Sequence, residues 1–201
     1  MVAALPEGLS SSSIMKISVD RYHAMIEAGI LVPEDRVELL EGLLVTKMPK
    51  LPLHSYSTGA AQYQLMVVLR EGWWVRSQEP VTLFDSEPEP DVAVVRGSMR
   101  DYTLRHPTIG EIGLVVEVAD SSLERDRKVK KLIYARAEIP WYWLVDLINK
   151  RVELYSQPQD GNYRQCSVHG ASERIPIILD GLIAGELSVA DLLPPQDALG
   201  V

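Results

Sequence analysis

The sequence predicts an α/β fold, a single domain built on a mixed central β-sheet flanked by helices. Two observations lead there. Short runs of β-branched and aromatic residues recur in hairpin-like pairs, and three helix-like segments interrupt them. The resulting order, α-ββ-α-βββ-α-ββ, combines hairpins with a helical crossover, which calls for both antiparallel and parallel neighbours.

Residues 1–17, with SSSS at positions 10–13, read as a loose lead-in to a domain spanning 18–201. A first helix is predicted over about 18–28, with Ser18 as N-cap and Gly29 as its stop. DRVELLEGLLVTKM then forms a hairpin turning at Glu41-Gly42. After the Pro-punctuated loop MPKLPLH comes a helix at about 55–70, with Ala60, Tyr63 and Val67 at helical spacing. WWVRSQ and PVTLF read as strands separated by Glu79, DVAVV follows the loop SEPEP, and IGLVVEV occupies about 112–118. A third helix at about 121–137 stops before Pro140. WYWLVD and KRVELYS pair across a turn at Leu147 to Asn149. From Tyr163 onward the pattern gives one or two edge strands and a short helix beginning near Ser188.

Composition narrows the function classes. At 201 residues, 46% hydrophobic and 24% charged, the chain can bury an ordinary core without staples. The single cysteine, Cys166, excludes an internal disulfide and a cysteine-rich zinc site. No apolar run reaches about 18 residues, and the N-terminus lacks a signal-peptide pattern, so a cytoplasmic protein without a membrane span is expected. A net charge of −8 argues against broad nucleic-acid coating. A local basic run, Arg125, Arg127, Lys128, Lys130 and Lys131, stands against that balance. There is no Gly-rich phosphate loop, no G-x-S-x-G and no H-E-x-x-H.

One stretch contains an oddity: LVVEVADSSLERDRKVKKLIYA, Leu114 to Ala135, sets Glu117 between Val116 and Val118. A carboxylate in such a strand either faces solvent at an edge or needs compensation, because unpaired burial costs several kcal/mol or forces protonation. Asp91 follows Pro90 at the start of the strand VAVV, as a turn residue or a second acid. Two carboxylates on neighbouring strands can converge at one end of a sheet and suit a hard cation such as magnesium. Glu38 in VELLEG is either a third acid or an ordinary polar strand residue. Asp126, Lys130 and Tyr134 follow at i, i+4 and i+8, along one helical stripe a short loop after Glu117. Such a stripe is a solvated face or a means of bringing a lysine to the carboxylates, where it could orient water or offset phosphate charge. His54, at the start of the second helix, is a surface histidine or part of the same constellation.

VELLEG, His54, EPEPDVAVV and above all VVEVADSSLERDRKVKKLIYARAEIPWYWLVD resemble the Uma-two family of restriction-endonuclease-like proteins, placed in the PD-(D/E)XK nuclease superfamily. The resemblance spans about residues 18–160. It implies a restriction-endonuclease-like fold with a divalent metal held between Asp91 of Pro90-Asp91 and Glu117, joined by the backbone carbonyl of Val118. The lysine expected two residues after the glutamate is Ala119 here, and the resemblance assigns its role to Lys130. Glu38 matches an additional acid, which would hold a second metal or an outer water. Glu138 stands where relatives carry a glycine before the Ile-Pro. The expectation is a magnesium-dependent endonuclease, with manganese as a substitute, acting on DNA. Asp91, Glu117, Lys130 and Glu38 carry the chemistry, and Tyr134, Asp126 and His54 support it. A non-catalytic module of the same fold that binds nucleic acid or a protein is the alternative, and a small-molecule or nucleotide hydrolase is a third reading. The aromatics Trp73, Trp74, Trp141, Tyr142 and Trp143 exceed what one strand face buries, which suggests a homodimer.

Overall fold

The computed structural model describes residues 13–69 and 71–195. Most of the expected lead-in, residues 1–12, and the last residues, 196–201, lie outside the described residues. Helix α1 (Val19–Glu27) starts where Ser18 Oγ accepts the Arg21 N–H, at 3.3 Å. It ends just before Gly29, whose φ of 67° is open to glycine. Strands β1 (Val37–Leu40) and β2 (Leu43–Thr46) form the expected hairpin. Glu41 and Gly42 both have positive φ, the geometry of a tight two-residue turn.

Helix α2 (Pro52–Val68) begins earlier than the hydrophobic spacing suggests, because Pro52 at its first position is pre-set for a helix start. His54 therefore lies in the first helical turn. The buried face also differs from the expected one: Ser57, Thr58, Ala61 and Leu65 face inward, while Tyr63 and Val67 point out. No residue of α2 is Asp, Glu, Lys or Arg, so polarity does not single out a face. The smaller side chains face the sheet.

Strands β3 (Trp73–Ser77), β4 (Val92–Arg96), β5 (Ile112–Ala119), β6 (Trp141–Asp146), β7 (Arg151–Gln159) and β8 (Asn162–Gly170) form a six-stranded sheet in that spatial order. Its neighbours are antiparallel except β5 and β6, which run parallel. The crossover between those two is helix α3, composed of an α-helical turn (Leu123–Arg125), a π-helical turn (Asp126–Lys130) and an α-helical end (Lys131–Arg136). The expected regular helix thus contains a widened turn. It stops at Glu138, whose φ of 54° occupies the left-handed conformation a glycine adopts more readily.

PVTLF is not a strand. Val81 and Leu83 are buried, but their N–H groups bond to Pro88 and Ser86 within the same loop, and Thr82 makes one isolated bridge to Thr108. The region after Tyr163 holds more strand than expected. β8 edges the sheet, and β9 (Arg174–Leu179) with β10 (Leu182–Ser188) forms a separate hairpin before a 3₁₀ turn at Val189–Leu192.

Both sheet faces are covered. α2 and the β9–β10 hairpin pack on one, against Val116, Val118 and Trp143. α3 packs on the other, against Val115, Tyr142 and Leu144. Gly113 lies close beneath Trp73 and Leu179, where a Cβ would sit 2.7 Å from each. Tyr142 and Trp143 are both fully buried, and Trp73 and Trp74 divide between the faces. Trp73, Trp74 and Trp141 are half-buried against these layers, so the flanking elements cover much of the aromatic set. Among the described residues, no helix is long and apolar enough to cross a membrane.

Candidate active site

The site lies where β4 begins and β5 ends, and it draws side chains from both layers. Val92 pairs with Val116, so Asp91 sits beside Glu117 on the neighbouring strand. All eight residues of β5 are buried, and alternation turns Glu117 to the α3 side with Val115 and Ala119. The glutamate is 3% exposed, which excludes the solvent-edge reading.

Helix α3 starts only a few residues after β5 and brings its stripe back over Glu117. Lys130 Nζ donates to Glu117 Oε1 at 2.9 Å, and Tyr134 O–H donates to the same oxygen at 2.6 Å. Lys130 also lies 3.3 Å from Glu38 Oε2, which accepts the Glu89 N–H at 3.2 Å. Asp126 is buried and takes a 2.5 Å hydrogen bond from Ser122 Oγ. From the opposite layer, His54 Nε2 reaches Asp91 Oδ2 at 3.1 Å, and Thr58 Oγ1 lies 3.4 Å from His54 Nδ1. The Val118 N–H donates to Asp91 Oδ2 at 2.8 Å. Every residue expected at the site borders this cleft except Tyr134, which stands behind Glu117.

The electrostatics follow from burial and neighbours. Burial pushes the Glu117 carboxyl up to about 8; Lys130 opposes the rise, and Asp91 and Asp126 add to it. Burial also raises Asp126. Burial opposes the charge of Lys130, but Glu117, Glu38 and Asp126 outweigh it and raise the ammonium pKa, so this lysine stays a cation. Burial opposes the Asp91 charge too, yet its bonds to His54 and the Val118 amide hold it below the usual carboxylate range.

Sequence reasoning passed over the rim of the cleft. Lys47, Lys50 and Arg125 line it beside the acids, with Lys47 paired to Glu89 at 2.7 Å and Arg125 donating to the Thr46 carbonyl. The cations of TKMPK in an acidic chain were the available signal. The basic run on α3 does not form a single patch. Arg125 and Lys130 turn to the cleft, Lys128 pairs with Glu124, and Lys131 lies over the Tyr155 ring. Arg127 turns to a second buried acid pair, donating to Asp146 Oδ2 at 2.8 Å and to both oxygens of Glu153. Arg151 joins it at 2.9 Å from Glu153, and the Tyr155 hydroxyl donates to Glu153 at 2.6 Å.

No group of three or more His, Cys, Asp or Glu side chains among the described residues is arranged to ligate a metal. The donor set is instead two hard carboxylates beside a polar cleft. Among the described residues no hydrogen bond reaches Asp91 Oδ1 or Glu117 Oε2. Magnesium binds through one or two carboxylates with waters completing its shell, so this set fits it better than zinc.

Residues 19–190 match the family model Uma2, described as "Putative restriction endonuclease". Among solved structures, the chain is similar to one described as a putative nuclease belonging to DUF820, from Anabaena variabilis ATCC 29413. That match has a TM-score of 0.66 at 17% identity and covers 88% of this chain and 97% of the other. At that identity it establishes a shared fold. A comparison with curated proteins gave no match.

Proposed function

The chain belongs to the Uma2 family, and from that premise we propose that it is a magnesium-dependent endonuclease hydrolysing DNA phosphodiester bonds in the cleft of Asp91, Glu117 and Lys130. One observation carries the reading: Glu38, Asp91, Glu117 and Asp126 crowd a site whose one buried ammonium is Lys130. Such an excess of buried carboxylates calls for a further cation.

Asp91 and Glu117 would hold the ion, aided by the Val118 carbonyl, with Glu38 at an outer water. When bound, magnesium or manganese acts as a Lewis acid, offsetting phosphate charge and making water more acidic. The chain's own groups do the rest. His54 and the Val118 amide fix the Asp91 carboxylate. Tyr134 and Lys130 fix Glu117 through Oε1, so Oε2 would remain available to a bound cation. The Lys130 ammonium orients a water or stabilises charge that develops on the phosphoryl oxygens. Lys47, Lys50 and Arg125 on the rim hold flanking phosphates.

The second reading, a non-catalytic module of the same fold, is favoured by Ala119 and by the contact in which Lys130 already offsets Glu117. Cleavage and binding assays on wild type, Glu117→Gln and Lys130→Ala separate the two, using magnesium, manganese and chelator. The nuclease reading expects metal affinity and cleavage to fall together in Glu117→Gln. It expects Lys130→Ala to keep metal binding and lose roughly 10²–10⁴-fold in turnover. Wild-type cleavage rates in Glu117→Gln would remove the proposed site. A wild type that binds but never cleaves would favour the module.

A further inference from the structure

Gln78 lines the cleft of Asp91 and Glu117, at the point where the chain leaves β3, and it is neither acid nor base. Its backbone N–H donates to the Asp91 carbonyl at 3.1 Å and to that of Pro90 at 3.2 Å, which ties it to the start of β4. Its φ is 57°, a left-handed conformation that is costly for a residue with a Cβ. The other non-glycine residues with positive φ have evident local reasons. Glu41, Lys150, Asp160 and Asp180 occupy hairpin turns, Arg36 and Glu138 end helical segments, and Gln157 is skipped in the pairing of β7 with β8. Among them all, Gln78 alone borders the cleft. No hydrogen bond among the described residues uses its side-chain amide. The cations of the cleft differ: Lys47 is paired with Glu89, Lys130 with Glu117 and Glu38, and Arg125 donates to the Thr46 carbonyl.

We propose that the Gln78 side-chain amide binds the substrate, donating a hydrogen bond to a non-bridging oxygen of the phosphate drawn to Asp91. The inference rests on the nuclease reading of this cleft and adds a substrate contact to it. Charge explains why an amide serves here. Among so many carboxylates a cation is captured by an acid, as Lys47 is by Glu89, whereas an amide forms no ion pair and keeps its N–H groups for a ligand. Position selects the ligand atom. Gln78 is bonded through its backbone to the residue whose carboxylate would hold the ion, so the phosphate on that ion is the part of DNA nearest the amide. The backbone points to the side chain as well. Glycine adopts this φ at less cost, and what glutamine adds to the position is its side chain.

Three substitutions in the full chain test this, with DNA cleavage, magnesium affinity by calorimetry and melting temperature measured on each. Gln78→Ala should lower kcat/KM by about 10–100-fold, the worth of a hydrogen bond to a charged oxygen, and by the same factor for DNA of different base sequence. Gln78→Glu keeps the length and adds a negative charge. It should bind magnesium at least as tightly as wild type and yet cleave more slowly than Gln78→Ala. Gln78→Gly separates side chain from backbone, because it suits the left-handed φ. It should melt no lower than wild type and still show the loss seen in Gln78→Ala. Wild-type kcat/KM in Gln78→Gly would mean that the bend alone matters, and would overturn the proposal. Wild-type cleavage by Gln78→Glu would do the same, as would an equal loss of magnesium affinity and cleavage in Gln78→Ala. A loss confined to particular base sequences would overturn the phosphate contact in favour of a base edge. A wild type that cleaves no DNA with magnesium or manganese would overturn the nuclease reading and this inference with it. Ordinary wild-type cleavage with tolerant variants would remove this inference alone.

Discussion

Two clusters of buried acids lie on the same side of the sheet, and helix α3 supplies cations to both. In one, Asp146 and Glu153 on β6 and β7 face Arg127 and Arg151. In the other, Glu117, Asp91, Glu38 and Asp126 face Lys130, with His54 at Asp91. The first is balanced charge for charge, and guanidinium forks match its carboxylates. Burial works against Asp146 and Glu153, yet both stay below the usual carboxylate range because Asn149 and the arginines bond them. In the second, burial prevails and Glu117 and Asp126 rise. A folded chain can therefore silence buried acids when nothing else is asked of them. An acid cluster left short of cations beside a cleft is the more informative of the two.

The largest test of that contrast removes each cluster's lysine or arginine. Lys130→Ala should destabilise the metal-free protein by about 3–5 kcal/mol near neutral pH, the typical cost of unpairing a buried charge. Magnesium should restore much of the loss, whereas acidification should restore little through Glu117, which already holds its proton at neutral pH in the metal-free fold. Arg127→Ala should cost somewhat less, roughly 2–4 kcal/mol, because Arg151 remains, and magnesium should restore none of it. Urea denaturation with and without magnesium checks both. Equal rescue of the two variants would erase the distinction between the clusters.

The next test is pH. In the metal-free fold Glu117 keeps its proton to about pH 8, against an ordinary value of 4.5. The native state then binds more protons than the unfolded chain across that window, so this group makes stability fall as pH rises through it. Asp91 acts oppositely: its lowered pKa gives stability present above its ordinary 3.8 and lost as pH falls toward the folded value. Denaturation in chelator at about pH 5 and pH 8 should show the decline, and Glu117→Gln should flatten it. An unchanged slope in that variant would remove Glu117 as its source.

The smallest effect is at Tyr134. Tyr134→Phe deletes one hydrogen bond to Glu117, costing on the order of 1–2 kcal/mol. Because that bond helps lower the Glu117 pKa, the pH decline should move to higher pH. The same substitution at Tyr155, beside the balanced pair, should leave that midpoint in place.

Much of the fold was legible because its signals are local. Ser18 and Gly29 bracket a helix, Glu41-Gly42 turns a hairpin, and runs such as WYWLVD fit only a strand. PVTLF misled because alternation reports which side chains face inward, while strand formation depends on where the N–H groups of Val81 and Leu83 find partners. α2 misled because an uncharged helix gives no contrast between faces. At the site, Glu117 was legible by its cost. Lys130 and Tyr134 were legible by spacing, and Asp91 by position before a strand. The rim lysines were hidden because a loop's direction is set by the elements around it.

The π-helical turn of α3 has a consequence for insertions and deletions. Asp126 and Arg127 precede Lys130 and Tyr134 across the widened turn, and they serve different clusters. Deleting Val129, which is 37% exposed, would let the helix relax to ordinary α geometry. Lys130 and Tyr134 would keep their places, and Asp126 and Arg127 would nearly keep theirs, because the widened turn already absorbs one residue's rotation. Inserting one residue into the regular helix instead would swing everything before it by about 100° and carry Arg127 away from Asp146 and Glu153. In this helix the number of residues acts as an angular coordinate, and the widened turn is where a change of one can be taken up.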